Sequence, residues 1–346
     1  MQNKILMICS LAKGTGAYLR GTYYEKSLKE LGNQVDFIKP FRRLPFETYY
    51  LFSLPYYLFK SVFKKCDVVI CLKTFPNTMI PALLKKNAIK IIDIDDLDSG
   101  FSRFSWIISK LQDPFIKYFD LITVHNDELY KRLIEKLNIP KEKIYRIEQG
   151  VRFDIFDKNK YKKKKSDYKT IVYTGHLSRT SDLDCILLIF SELSKKEKIK
   201  FIIVGGGVKL EKYKKLARRL NIENIEFTGY VLPEKTAEFI SKADACIVYY
   251  PEIEANKYRA SMKIREYLAM EKPVVCNSFG DLKKFKKYTY QFNSKDLNEA
   301  VQVCFKALKS DGREKLGYKY VRENMSWNKI AKGIVKRIDE LRKTRV

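Results

Sequence analysis

Ser261, Met262, Lys263 and Glu266 open the stretch Ser261-Met262-Lys263-Ile264-Arg265-Glu266-Tyr267-Leu268-Ala269-Met270-Glu271-Lys272-Pro273, and their types and spacing suit an anion bound beside a diol. Ile264, Tyr267 and Leu268 repeat at helical spacing and should face a core. Ser261 is a favourable N-cap, and Lys272-Pro273 ends the helix ahead of a strand over 273–276. Lys263 and Glu266 then share another face. A cation in a first turn opposes the helix dipole, so Lys263 adds little stability there, but it can join the open N–H groups of that turn on a phosphate. Glu266, one turn on, can accept two hydroxyl hydrogen bonds, as from a ribose. The pair reads as a clamp for a nucleoside diphosphate. The alternative is a surface lysine with an i,i+3 partner, worth about 0.2–0.5 kcal/mol.

Two domains are expected to position these residues. Short β-branched runs at 4–9, 34–38, 67–71, 89–94, 121–125 and 143–147 alternate with longer helical patterns, which predicts a parallel, doubly wound sheet. After the lysine run Lys162–Lys165 the pattern restarts at 170–174, 200–204, 225–228, 245–249 and 273–276. At 346 residues the chain is too long for one ordinary core. The division is an α/β Rossmann-like domain over 1–155, a second over 156–325, and a last helix within 326–346 that follows the end of the second sheet.

In open α/β sheets ligands sit at the carboxyl ends of strands, so the strand-to-helix loops are the places to search. Gly14 and Gly16 lie in the first, where glycine lets a backbone approach a ligand and open a helix towards it. The fourth strand ends in Asp93-Ile94-Asp95-Asp96-Leu97-Asp98, four carboxylates in six residues; a helix cap with solvated neighbours is the structural reading, and a metal-binding D-x-D at Asp93 and Asp95 is a disfavoured rival. His125 and His176 are the chain's two histidines. His125 closes the fifth strand beside Asn126 and Asp127, candidate helix caps, and reads as structural. His176 stands in the first loop of the second domain with Arg179.

The order of several segments resembles the C-terminal domain of retaining GT-B glycosyltransferases, particularly the large family 4. Residues 261–275 are similar to that family's "P/S-x-K-x-x-E-Y-L-A-x-G-K-P-V-V". Ile147-Glu148-Gln149-Gly150-Val151 resembles its "I-P-N-G-V-D", followed by Tyr173-Thr174-Gly175-His176-Leu177, Ile203-Val204-Gly205-Gly206-Gly207 and Phe227-Thr228-Gly229-Tyr230-Val231. The resemblance is strong over about 145–330 and weaker before it.

It implies a GT-B fold, two Rossmann-like doubly wound domains facing a cleft, the first for the acceptor and the second for the donor, with the last helix crossing back onto the first. Retaining transfer from a nucleoside diphosphate sugar follows, with no cofactor beyond that co-substrate. Lys263, Arg179 and the N–H groups near Gly14 and Ser261 would meet the charge growing on the leaving diphosphate, with no metal required. Gly14 and Gly16 would lie near diphosphate and acceptor. Tyr230 and Val231 would carry the base, and Asp96 or Asp95 would serve where many members place a histidine. Departures accompany the likeness: His176 and Ser181 stand where an arginine and a lysine are common, and Tyr258 where an upstream glutamate contacts the sugar.

A net charge of +27 asks for an anionic partner. No nucleic-acid-binding motif is present, so nucleic acid is not expected; a nucleotide sugar, a glycan or lipid-linked acceptor and an anionic membrane surface remain. Residues 41–63 hold nine aromatics in 23 residues, against 13% for the chain, with basic residues on both flanks. They suit an interface; the less favoured alternative is a helix buried against the sheet. No apolar run reaches the roughly 20 residues that span a bilayer, so the expected place is the cytoplasm, peripheral at the inner membrane face. Seven cysteines without a C-x-x-C pair read as core residues. A nucleotide-sugar epimerase of similar two-domain fold and a non-catalytic basic scaffold are the competing readings.

Overall fold

The computed structural model describes residues 2–11, 15–40, 53–97, 105–161, 167–177 and 183–345, with the backbone alone at 105–108. Two compact units divide it: Met1–Gly150 with Tyr258–Ala260 and Trp327–Val346, and Val151–Lys257 with Ser261–Ser326.

In the first unit β1 (Lys4–Cys9), β2 (Gln34–Ile38), β3 (Val68–Leu72), β4 (Ile89–Ile94), β5 (Leu121–Val124) and β6 (Ile144–Arg146) form one sheet of order β2-β1-β3-β4-β5-β6. In the second, β7 (Lys169–Thr174), β8 (Ile199–Val204), β9 (Ile225–Gly229), β10 (Ala245–Val248), β11 (Val274–Asn277) and β12 (Tyr290–Phe292) are ordered β12-β11-β10-β7-β8-β9. Every ladder is parallel. Central strands such as β3 and β10 are buried along their whole length. That is why they read as continuous apolar runs and not as alternations.

The connecting helices of the first unit are α1 (Gly16–Glu30), α2 (Leu54–Val62), α3 (Pro76–Leu83), α4 (Ser105–Ile116) and α5 (Asp127–Glu135). Those of the second are α6 (Asp184–Ser194), α7 (Leu210–Arg219), α8 (Pro233–Lys242), the short α9 (Glu254–Lys257), α10 (Met262–Ala269), α11 (Leu297–Lys309) and α12 (Arg313–Asn324). The last helix, α13 (Trp327–Lys343), packs on α1 of the first unit. Trp327 stacks on Tyr24 with ring centroids 6.0 Å apart, and Gly150 leaves room for the indole, where any Cβ would collide.

The order of each sheet explains where its site lies. β1 sits between β2 and β3, and β7 between β8 and β10, so at those two points successive connections leave in opposite directions and open a crevice at the strand ends. β12 is absent from the sequence reading: three residues at a sheet edge are too short for a periodic signal. Asn126 caps α5, its side chain accepting from Leu129 N at 2.8 Å. All seven cysteines are unbridged, five of them buried. Among the described residues no helix is long and apolar enough to cross a membrane.

Candidate active site

The first turn of α10 is built rigidly. The Ser261 hydroxyl accepts from Ile264 N at 3.4 Å. Arg265, fully buried, donates to Ser261 O at 2.6 Å and to Asp281 Oδ2 at 2.8 Å, while Asp281 also accepts from Ser261 N at 3.3 Å and pairs with Lys284 at 2.9 Å. The backbone of Ser261 is thus held on both sides. Burial pushes the Asp281 carboxyl up, but Arg265 and Lys284 outweigh it and leave the carboxyl below its ordinary range. The sequence reading missed this pair. Arg265 lies next to Ile264 and one turn before Leu268, on the core face, and a cation there requires a buried partner.

Lys263 and Glu266 leave α10 on another side. Lys263 Nζ donates to Tyr173 Oη at 3.0 Å and lies 4.4 Å from the centre of that ring. A Cβ at Gly175 would collide with the amine. Tyr267 accepts from Thr174 N at 2.7 Å and lies 2.9 Å from Thr174 Oγ1, tying α10 to the end of β7. The amine therefore rests at the switch point of the second sheet. Glu266 keeps part of its surface open, yet protein on its other sides disfavours the carboxylate: burial raises its pKa to about 7, with Lys263 pulling the other way.

Three further loops gather at this edge. Leu177 N donates to Gly206 O at 2.9 Å, Lys209 N to Leu177 O at 3.0 Å, and Gly205 bridges Gly229. Gly205, at φ +142°, and Gly207, at φ +151°, adopt backbone that L side chains rarely take, and side chains there would strike the carbonyls of Gly175 and Leu177. His176 and Tyr230 are exposed in these loops, and Val231 is half-buried. Ser261, Met262, Lys263, Glu266, His176, Tyr230 and Val231 are thus all carried by the ends of β7 and β9 or by α10. Arg179 lies outside the described residues.

In the first unit the carboxylates after β4 meet cations. Arg20, fully buried on α1, lies 3.2 Å from Asp93 and 3.0 Å from Asp95. Lys73, just past β3, reaches Asp95 at 2.6 Å and Asp96 at 2.8 Å. His125 Nε2 is 2.7 Å from Asp93, which also accepts from Thr123 at 2.6 Å. Burial raises the Asp93 and Asp95 carboxyls, but Arg20 on both, His125 on both and Lys73 on Asp95 outweigh it, so each ends below the usual range. A divalent ion held by Asp93 and Asp95 would have to displace Arg20 and Lys73. Asp95 is closed in by its two cations, whereas the Asp96 side chain keeps 25% of its surface exposed. Gly16 opens α1 behind its cap Thr15, exposed and with nothing near its missing Cβ; Gly14 and 98–104 lie outside the described residues. Tyr258 is buried in the core cluster of the first unit and offers no carboxylate to a sugar.

Of 41–63, the described part begins at 53. α2 turns Tyr57 and Ser61 inward, and Tyr57 Oη donates to Cys9 O at 3.0 Å. Phe59, Val62 and Phe63 are 65%, 63% and 80% exposed. α2 is therefore neither wholly buried nor wholly open: one face is core, the other exposed.

Residues 168–308 match the family model described as "Glycosyl transferases group 1". A putative teichuronic acid biosynthesis glycosyltransferase, TuaH, of Bacillus subtilis is 26% identical over 66% of this chain and 59% of its own length. The chain thus spans less than two thirds of that relative. Among solved structures, a glycosyltransferase from Rickettsia africae is similar over 99% of both chains with a TM-score of 0.76 and 17% identity. Anabaena Alr3699/HepE in complex with UDP and glucose is similar over 98% of this chain and 100% of its own, with a TM-score of 0.73 and 13% identity. At the end of β7 and α10, a capped helix start, a lysine and a glutamate meet within the very segment the family model covers: the chain has the GT-B fold of glycosyltransferases, and its residues 168–308 match the glycosyl transferases group 1 family.

Proposed function

We propose that the protein is a glycosyltransferase that moves a sugar from a nucleoside diphosphate sugar to a hydroxyl of a glycan or lipid-linked acceptor, with retention of configuration and without a metal ion. One observation carries the reading: the Lys263 amine rests on Tyr173 at the switch point of the second sheet, in the first turn of a helix whose start is pinned by Arg265 and Asp281. A cation and open N–H groups fixed in advance are what a leaving diphosphate requires. Glu266, one turn on, is placed for a ribose diol. In the step, the bond from the anomeric carbon to the diphosphate oxygen breaks, the acceptor oxygen takes its place, and the acceptor proton leaves on the diphosphate.

Retention rests on the likeness of 261–275 to a retaining family's signature. Metal independence is supported by the cations already paired with Asp93, Asp95 and Asp96. UDP in one structural neighbour favours a uridine nucleotide, and the glycan named for one relative favours a polymer or lipid-linked acceptor. The exposed edge of α2 supports peripheral placement on an anionic membrane.

The test is calorimetric titration with UDP and GDP in chelator, followed by incubation with a panel of nucleotide sugars and membrane-extracted acceptors. Saturable binding and a product with the donor's anomeric configuration are expected. Binding of neither nucleotide overturns the reading, and activity that returns only with magnesium or manganese overturns its metal-free part. Interconversion of the free nucleotide sugar without transfer favours the epimerase.

A further inference from the structure

Lys73 is the residue of the first unit whose placement demands an explanation. It follows β3 at the switch point of its sheet, and its backbone takes φ +78°, a left-handed conformation that a non-glycine residue adopts at a cost. The side chain is buried, with 3% of its surface exposed, although lysine is among the residues least often enclosed. Its backbone N–H donates to Asp93 O at 3.0 Å, and its amine meets Asp95 at 2.6 Å and Asp96 at 2.8 Å. Arg20 shares only Asp95 with it, reaching Asp93 and Asp95 and leaving Asp96 to Lys73. The enclosed charge thus bridges the buried Asp95 and the part-exposed Asp96.

We infer that Lys73 is a positioning residue for sugar transfer, holding Asp96 so that its carboxylate accepts the hydrogen bond of the incoming acceptor hydroxyl until the bond to the anomeric carbon forms and that proton passes to the departing diphosphate. The inference rests on the glycosyltransfer reading above. Asp95 and Asp96 are adjacent carboxylates after β4 that repel each other, and a cation shared between them offsets that repulsion. The Lys73 amine removes that repulsion and fixes one oxygen of Asp96, Oδ2, at 2.8 Å. The acceptor oxygen is then aimed for attack, which is where orientation contributes to rate. Asp96 touches the substrate; Lys73 acts through it.

The experiment uses the full chain and a donor on which the wild type transfers. Lys73→Gly suits the left-handed backbone, but it leaves the enclosed Asp95 with Arg20 alone, so its melting temperature should fall and the rates are compared at a temperature where every variant is folded; Lys73→Met is the second variant. Each should lower kcat by about 10–100-fold and leave the dissociation constant for UDP, bound in the other unit, within about twofold. Asp96→Asn should lower kcat at least as far, and Lys73→Gly combined with Asp96→Asn should be no slower than Asp96→Asn alone, because Lys73 has then lost the group it holds. A merely structural lysine would instead multiply the two losses, and that outcome, or a Lys73→Gly variant at full rate, overturns the inference. A wild type that transfers no sugar from any donor overturns the glycosyltransfer reading itself.

Discussion

Lys263 and Tyr173 are joined twice, by a hydrogen bond of 3.0 Å from amine to phenol and by the position of the amine 4.4 Å from the ring centre. The phenol accepts from the amine without neutralising it. The aromatic face adds an attraction of its own. Tyr173 holds the amine at the end of β7, and Gly175 leaves the space it occupies.

Removal of that charge should therefore be felt in the transition state. Lys263→Ala is expected to lower transfer by about 10²–10³, the loss typical of one preorganised electrostatic contact, with the melting temperature unchanged. Tyr173→Phe, which keeps the ring and deletes only the hydrogen bond, should cost less than Lys263→Ala. Steady-state rates of the two variants decide it: Lys263→Ala turning over like the wild type refutes the assignment.

On the proposed reading, Glu266 is expected to make nucleotide binding depend on pH. Burial raises its pKa to about 7, above the ordinary value of 4.5, so in the empty protein it holds a proton below neutrality. A ribose diol donates hydrogen bonds and favours the ionised form, so binding must expel that proton. Affinity for UDP should climb by up to about tenfold per pH unit towards 7 and level off above it. The second ionisation of the phosphate, near pH 6, contributes at the acid end, and Glu266→Gln isolates it: the slope between about pH 6.5 and 7.5 should vanish in that variant. For stability the sign is opposite. The raised pKa contributes most below 4.5, and that contribution is lost as pH rises through 7. Calorimetry across that range in wild type and variant checks the linkage, and equal slopes refute it.

Arg265 and Asp281 predict a stability effect separate from chemistry. Both are enclosed; removing Asp281 takes the carboxylate partner from the buried Arg265, at a cost of about 3–5 kcal/mol, while removing Arg265 leaves Asp281 with Lys284 and costs less. Asp281→Asn and Arg265→Met should each lower the melting temperature by several degrees, and Asp281→Asn should also weaken UDP binding, since Ser261 loses an acceptor that fixes its N–H. The Asp281 carboxyl lies below its ordinary value, so its contribution is present above the unfolded pKa near 4 and is lost as the solution is acidified. Thermal melts between about pH 3 and 7 test this: Asp281→Asn should lose the part of the acid slope that Asp281 supplies.

The sequence made the helix of residues 262–269, its Ser261 cap and the separation of Lys263 and Glu266 from the core face legible because they rest on local rules: a cap, a helical period, a lysine in the first turn. The strand alternation was legible for the same reason, since buried parallel strands are short apolar runs. Partners distant in sequence were not. Periodicity places Arg265 or Arg20 on a core face, but it does not say that the first meets Asp281 and the second Asp93 and Asp95, because those pairs are made by the return of the chain. Lys73 was invisible for a further reason. Its signal is a backbone angle, and a left-handed lysine looks like any other lysine in the sequence.

α2 sets the last expectation. Aromatic richness over 41–63 suggests a membrane surface with Tyr56, Tyr57 and Phe59 among its rings, and the structure corrects the choice of Tyr57. Tyr57 is core and bonded to Cys9 O, so changing it would damage the fold. The open edge is Phe59, Val62 and Phe63, with Phe59 and Phe63 in edge-to-face contact at 6.0 Å. Lys85 fastens that edge to the neighbouring turn by donating to Val62 O at 3.3 Å and Lys64 O at 2.8 Å. Leu84, beside it, is exposed as well, and Lys60 and Lys65 flank the rings. An apolar edge rimmed by cations fits the interface of an anionic leaflet, where each cation near the surface contributes about 1 kcal/mol. The wild type should sediment with vesicles of mixed phosphatidylglycerol and phosphatidylcholine in low salt and be released by high salt. Phe59→Ser combined with Phe63→Ser should bind at least about tenfold more weakly, since two buried rings are lost, while melting like the wild type. A wild type left in the supernatant, or a double variant that pellets as well as its parent, would show that this edge does not meet the membrane.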